Sequence, residues 1–126
     1  MTKFSKLTGI LSLQTDPEDE CYGKLLWCGK RIVSEWASEN LGDTFGTKKM
    51  VSLRYWTSDR EEPDDAIKQR ALENILGVAH ADYGARYSEL TGYLWTDEVF
   101  KVGGHDMISR LTTDVGKYLL LEMEVH

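Results

Sequence analysis

Between Lys49 and Thr57 the chain alternates with a period of two. Val51, Leu53 and Tyr55 fall on one side, and Ser52, Arg54 and Trp56 on the other. That period predicts a strand with one buried and one wetter face. Trp56 departs from a purely polar outer face, so it is expected to cover a second layer or to line a groove. A looser alternation over Lys6–Gln14 predicts a first strand. Tyr22–Val33 reads as a second extended stretch with a bend or hairpin at Gly29. Lys117–Val125 closes the chain as a strand in which Leu119, Leu121, Met123 and Val125 share one face.

Helical spacing shows at three places. Ser34 is a suitable cap for a short helical turn through Asn40. Pro63–Leu76 carries Ala66, Ile67, Ala71, Leu72, Ile75 and Leu76 as an apolar stripe, with proline at the start, Asp64 and Asp65 in the first turn and Gly77 at the end. These features predict one long helix lying across the sheet. Asp106 is placed to cap a short helix over Met107–Val115, terminated by Gly116. Val78–Arg86 has no clear period, and Tyr87–Lys101 reads as one bent strand or two. The order predicts an α+β fold of a single domain, 1–126. An antiparallel or mixed sheet of about five or six strands would be covered by one long helix and one or two short ones. No internal repeat or low-complexity tract stands out.

Composition narrows the functional classes. The chain has 126 residues, 41% of them hydrophobic and 29% charged, and a net charge of −6. Five of the six excess negative charges lie in residues 64–126. Duplex nucleic acid is disfavoured, because neutralising phosphates needs a basic surplus. No apolar run is long enough to span a membrane. The N-terminal residues turn acidic too soon for a signal peptide, so a cytoplasmic location is expected. Cys21 and Cys28 stand apart from any metal or redox spacing and are expected as reduced thiols.

Three groups of residues are candidates for chemistry. In the stretch KVGGHDM, Gly103 and Gly104 can expose amides beside a helix start, with His105 alongside, a geometry that holds anions. Asp106 competes for the same donors, so the stretch reads first as a structural corner. His80, Asp82, His105 and Asp106, with Glu89, Asp97 or Glu98, offer imidazole and carboxylate ligands for a divalent cation. No HExxH, GxSxG or Walker pattern accompanies them. Aromatic residues cluster in the second half, where Tyr87, Tyr93 and Trp95 surround Arg86 and Trp56 extends the set. Aromatic rings and arginine anchor interfaces because they bury area while keeping polar contacts.

These signals predict a small soluble binding or regulatory module that engages a protein partner through an aromatic and arginine-containing surface. Exposed strand edges would also allow a homodimer. No cofactor is implied. The alternative is a small metal-dependent hydrolase, which needs three of the His, Asp and Glu residues to converge on an open coordination position. A second alternative is a binder of single-stranded nucleic acid or nucleotide, with aromatics bordered by Lys48, Lys49, Arg54 or Arg86.

Overall fold

In a computed structural model the described residues are 3–15, 24–41, 49–70, 73–87, 90 and 94–126, with backbone alone for 83–87 and 94–97. The elements run β1 (Lys3–Gln14), β2 (Leu25–Cys28), β3 (Arg31–Ile32), α1 (Val33–Leu41), β4 (Lys49–Ser58), α2 (Asp64–Ile67), β5 (Glu73–Tyr87), β6 (Leu94–Val102), β7 (His105–Asp106), α3 (Met107–Thr112) and β8 (Tyr118–Val125). Among the described residues the eight strands form one antiparallel sheet, in the order β3-β2-β1-β8-β4-β5-β6-β7. The α+β class stands, with more strands than the five or six expected. No helix among the described residues is long and apolar enough to cross a membrane.

The alternating residues of β4 behave as their period dictates. Val51, Leu53 and Tyr55 are buried on the inner face, against Leu121 and Met123 of β8 and beneath the helices. Helix α1 supplies Val33, Trp36, Ala37 and Leu41, a stripe at helical spacing. Helix α3 supplies Met107 and Leu111. Glu98 of β6 accepts hydrogen bonds from Leu26 N of β2 at 3.2 Å and from Ser34 Oγ of α1 at 3.2 Å. Since β2 and β6 lie near opposite ends of the strand order, this contact requires the sheet to curl around its helices. Ser34 is therefore a buried donor inside the helix rather than its cap.

The long helix expected over Pro63–Leu76 does not form. Among its described residues only Asp64–Ile67 is helical, and Glu73 of β5 already pairs with Tyr55 of β4. The apolar residues of the expected stripe are divided between layers. Ile67 packs on the outer face and Ile75 enters the inner core. Short apolar runs fit both periods, and pairing of Glu73–Ala79 with β4 satisfies the backbone while burying Ile75 and Ala79.

A structural repeat, not evident as a repeat of residues, organises the chain. Strands β1, β2, β3, helix α1 and β4 are followed by β5, β6, β7, α3 and β8 in the same arrangement. The strand order is unchanged when β1, β2, β3 and β4 are exchanged with β5, β6, β7 and β8. Registers match residue for residue. Gly9 pairs with Leu119, and Gly77, 68 positions after Gly9, pairs with Val51, 68 positions before Leu119. In each half two glycines touch across the hairpin, Gly9 with Gly29 and Gly77 with Gly103. Equivalent bonds of 3.0 Å join Gly29 N to Ile10 O and Gly103 N to Val78 O. The pseudo-twofold axis passes between Arg54 and Glu122, Cα partners that exchange places under it.

Candidate functional site

The stretch that first suggested a ligand loop is a hairpin turn running into a helix. Val102 pairs with His105, leaving Gly103 and Gly104 as the two loop residues, with φ of +56° and +82°. Both positions need left-handed backbone, which glycine adopts without a Cβ penalty. Asp106 caps α3 as expected, accepting from Ile108 N at 3.1 Å and Ser109 N at 3.3 Å. The amides of the first helical turn are thus engaged by the chain's own carboxylate, and Gly103 N donates to Val78 O at 3.0 Å.

The His and Asp candidates lie along neighbouring strands. His80 is the Cα partner of Lys101, whose other partner is Asp106. A cation therefore stands between the histidine and the acid. His80 and His105 are exposed and Asp82 is half-buried. Among the described residues no group of three or more His, Cys, Asp or Glu is placed to hold a metal ion. Glu89 lies outside the described residues, as do Cys21, Lys48 and Tyr93. Arg86 and Trp95 are Cα partners near the far end of the β5–β6 ladder, and Tyr87 pairs with Leu94. The other cysteine, Cys28, is a free thiol, and burial pushes its pKa up to about 12.

Trp56 sits on the outer face of β4, as its period required, but it is only 4% exposed. Residues 59–70 fold over that half of the outer face. Ile67 packs with Trp56, Tyr118 and Leu120. Next to it, Lys68 lies 5.7 Å from the centroid of the Trp56 ring and binds Glu122 at 2.6 Å. Arg54 approaches the other oxygen of Glu122 at 3.5 Å. The Glu122 side chain is 5% exposed, so these two cations offset a desolvation that would otherwise be costly. Lys6 binds Asp64 at 2.7 Å, and this contact holds the lysine pKa above its ordinary value. Arg70 ties down the end of the segment through Ser58 Oγ at 2.9 Å and Glu62 at 2.8 Å.

No segment among the described residues covers the other half of the outer face. Register places Phe4, Glu124, Ser52 and Leu76 in one row across β1, β8, β4 and β5. Met50 and Val78 form the next row. Leu76 is 67% exposed, Phe4 55%, Met50 47% and Val78 44%. Single exposed apolar residues are ordinary, whereas neighbouring ones on one sheet face form a patch that calls for an explanation. Glu124 is half-buried among them. Its side chain has no hydrogen bond or ion pair among the described residues.

None of these four apolar residues stands out in the sequence as a candidate. A usable signal exists in the stretch Ile75-Leu76-Gly77-Val78-Ala79. Once Ile75 and Ala79 are assigned inward, Leu76 and Val78 must point outward. The assignment of a helix there conceals it. The chain matches no protein-family model, no curated protein and no solved structure.

Proposed function

We propose that this protein is a binding module whose partner is another protein, docked on the open half of the outer sheet face. The observation that carries the reading is the run of exposed apolar side chains Met50, Leu76 and Val78, with Phe4 across the sheet and Glu124 among them. An apolar centre provides most of the association free energy, and a charge within it selects the partner. The arginine and aromatic residues expected from the sequence, Arg86, Tyr87 and Trp95, belong to this proposal as a secondary anchor further along the β5–β6 ladder. The GGHD turn plays no part in it, since Asp106 already engages the amides of the helix it begins.

The test is site-specific photo-crosslinking in cells that make the protein, with a benzophenone side chain at position 76 and a control at the exposed Val115. The expected result is one discrete adduct from position 76, absent from position 115. Introducing Val78→Asp abolishes it without changing the circular dichroism of the protein. Equal cross-linking from both positions, or an adduct insensitive to Val78→Asp, refutes the site. An Arg86→Ala variant reports separately on the secondary anchor.

A further inference from the structure

The chain carries its own example of what covers this kind of surface. The pseudo-twofold that exchanges Arg54 and Glu122 relates the covered half of the outer face to the open half. Tyr118, Leu120 and Trp56, which Ile67 covers, correspond to Met50, Ser52 and Glu124, while Ile10, itself 44% exposed, corresponds to the equally exposed Val78. On the covered half the occupant is a short segment with Ile67 wholly buried and Lys68, the next residue, on a carboxylate. On the open half the apolar seat is formed by Met50, Val78 and Leu76. The carboxylate there, Glu124, occupies the position equivalent to Trp56, whereas the position equivalent to Glu122 is held by Arg54.

Resting on the binding reading above, we infer that the partner presents a short helical segment with an aliphatic residue next to a lysine or arginine. The aliphatic side chain would sit on Met50, Leu76 and Val78, and the cation would meet Glu124. Three observations converge on that chemistry. Glu124 is half-buried and its side chain has no ion pair among the described residues, Lys6 and Arg54 of the adjacent row being engaged by Asp64 and Glu122, so an apolar partner without a cation would deepen its desolvation with no compensation. The chain's charge of −6 favours a basic partner in the encounter. A second copy of the chain would instead bring another Glu124, and its own negative charge, to the same surface.

The experiment is selection of phage-displayed twelve-residue peptides on the full chain, with counter-selection on the Leu76→Asp variant. Selected peptides are then synthesised and titrated against wild type, Leu76→Asp and Glu124→Gln. The expected result is a consensus with an aliphatic residue next to lysine or arginine, binding about tenfold more weakly to Glu124→Gln. The melting temperature of Glu124→Gln should stay close to that of wild type. Peptides that depend on Leu76 but lack a basic residue, or that ignore Glu124→Gln, overturn this inference and leave the docking face standing. Should no peptide depend on Leu76, sedimentation of the free protein decides further. A dimer lost in Leu76→Asp identifies a second copy as the occupant and overturns the basic segment. A monomer in both forms overturns the inference and the docking face together.

Discussion

Replacing Gly77 with alanine tests the contact on which each half of the fold turns. A Cβ at Gly77 would lie 2.4 Å from Gly103 Cα and 2.7 Å from Gly103 N. Both are backbone atoms, so no side chain can swing aside. Carbon pairs relax near 3.5–4.0 Å, and the two strands must therefore part by about 1 Å. The bond from Gly103 N to Val78 O, now 3.0 Å, would stretch past useful length. Overpacking of this kind costs roughly 1–3 kcal/mol and the lost bond about 1 kcal/mol, which together give about 2–4 kcal/mol. Gly104→Ala is the internal control. Nothing lies within 4 Å of its added Cβ, and only its φ of +82° opposes it. That left-handed strain is worth about 1–2 kcal/mol. Urea unfolding followed by tryptophan fluorescence distinguishes the two. With a slope of about 2 kcal/mol/M, the midpoint should fall by about 1–2 M for Gly77→Ala and by less than about 1 M for Gly104→Ala. The reasoning fails if Gly77→Ala unfolds at or above the midpoint of Gly104→Ala. Gly9→Ala, with its Cβ 2.5 Å from Gly29 N and a φ of +155° that adds backbone strain, should lower the midpoint at least as far as Gly77→Ala if the two halves are equivalent.

Two further outcomes follow from individual side chains. Removing the cap with Asp106→Ala should cost about 1 kcal/mol in the same urea titration, with Asp106→Asn intermediate; an unchanged midpoint for Asp106→Ala would show that the cap contributes nothing. Burial raises the Cys28 thiol from 9.0 to about 12, so the folded protein keeps a proton that the unfolded chain releases. Its contribution is complete below about pH 9 and is lost as pH rises towards 12, a span of at most about 4 kcal/mol. In a Cys21→Ser background, native protein at pH 8 should resist a thiol reagent and react fully in urea; labelling at the rate of a free thiol would refute the burial.

Much of the strand pattern is legible because strict alternation fits little besides a half-buried strand. The inward set Val51, Leu53 and Tyr55 and the closing strand at Lys117–Val125 can be read directly, as can the Asp106 cap, whose chemistry is local. The expected helix over Pro63–Leu76 fails for the opposite reason. Its apolar spacing fits a helix, but Ile67 and Ile75 serve different layers, and only the pairing of β5 with β4 separates them. The repeat is hard to see in the residues because its two halves share geometry more than side chains. Glycines at 29 and 103 occupy equivalent turns, while Trp36 in one half corresponds to Arg110 in the other. The candidate site is hidden behind both, since Leu76 and Val78 become a surface only once they belong to a strand.

Period, turn chemistry and capping are properties of neighbouring residues. The α+β class, the inward face of β4 and the corner at Gly103-Gly104-His105-Asp106 all follow from them, so these features are written in the chain's local order. Which outward faces stay wet is settled by the folded arrangement instead. Leu120 and Trp56 are buried because residues 59–70 fold over them, and Leu76 and Met50 are exposed because no described segment does the same there. That difference depends on contacts between residues far apart in the chain, such as Lys68 with Glu122 and Lys6 with Asp64, and local pattern carries no information about it.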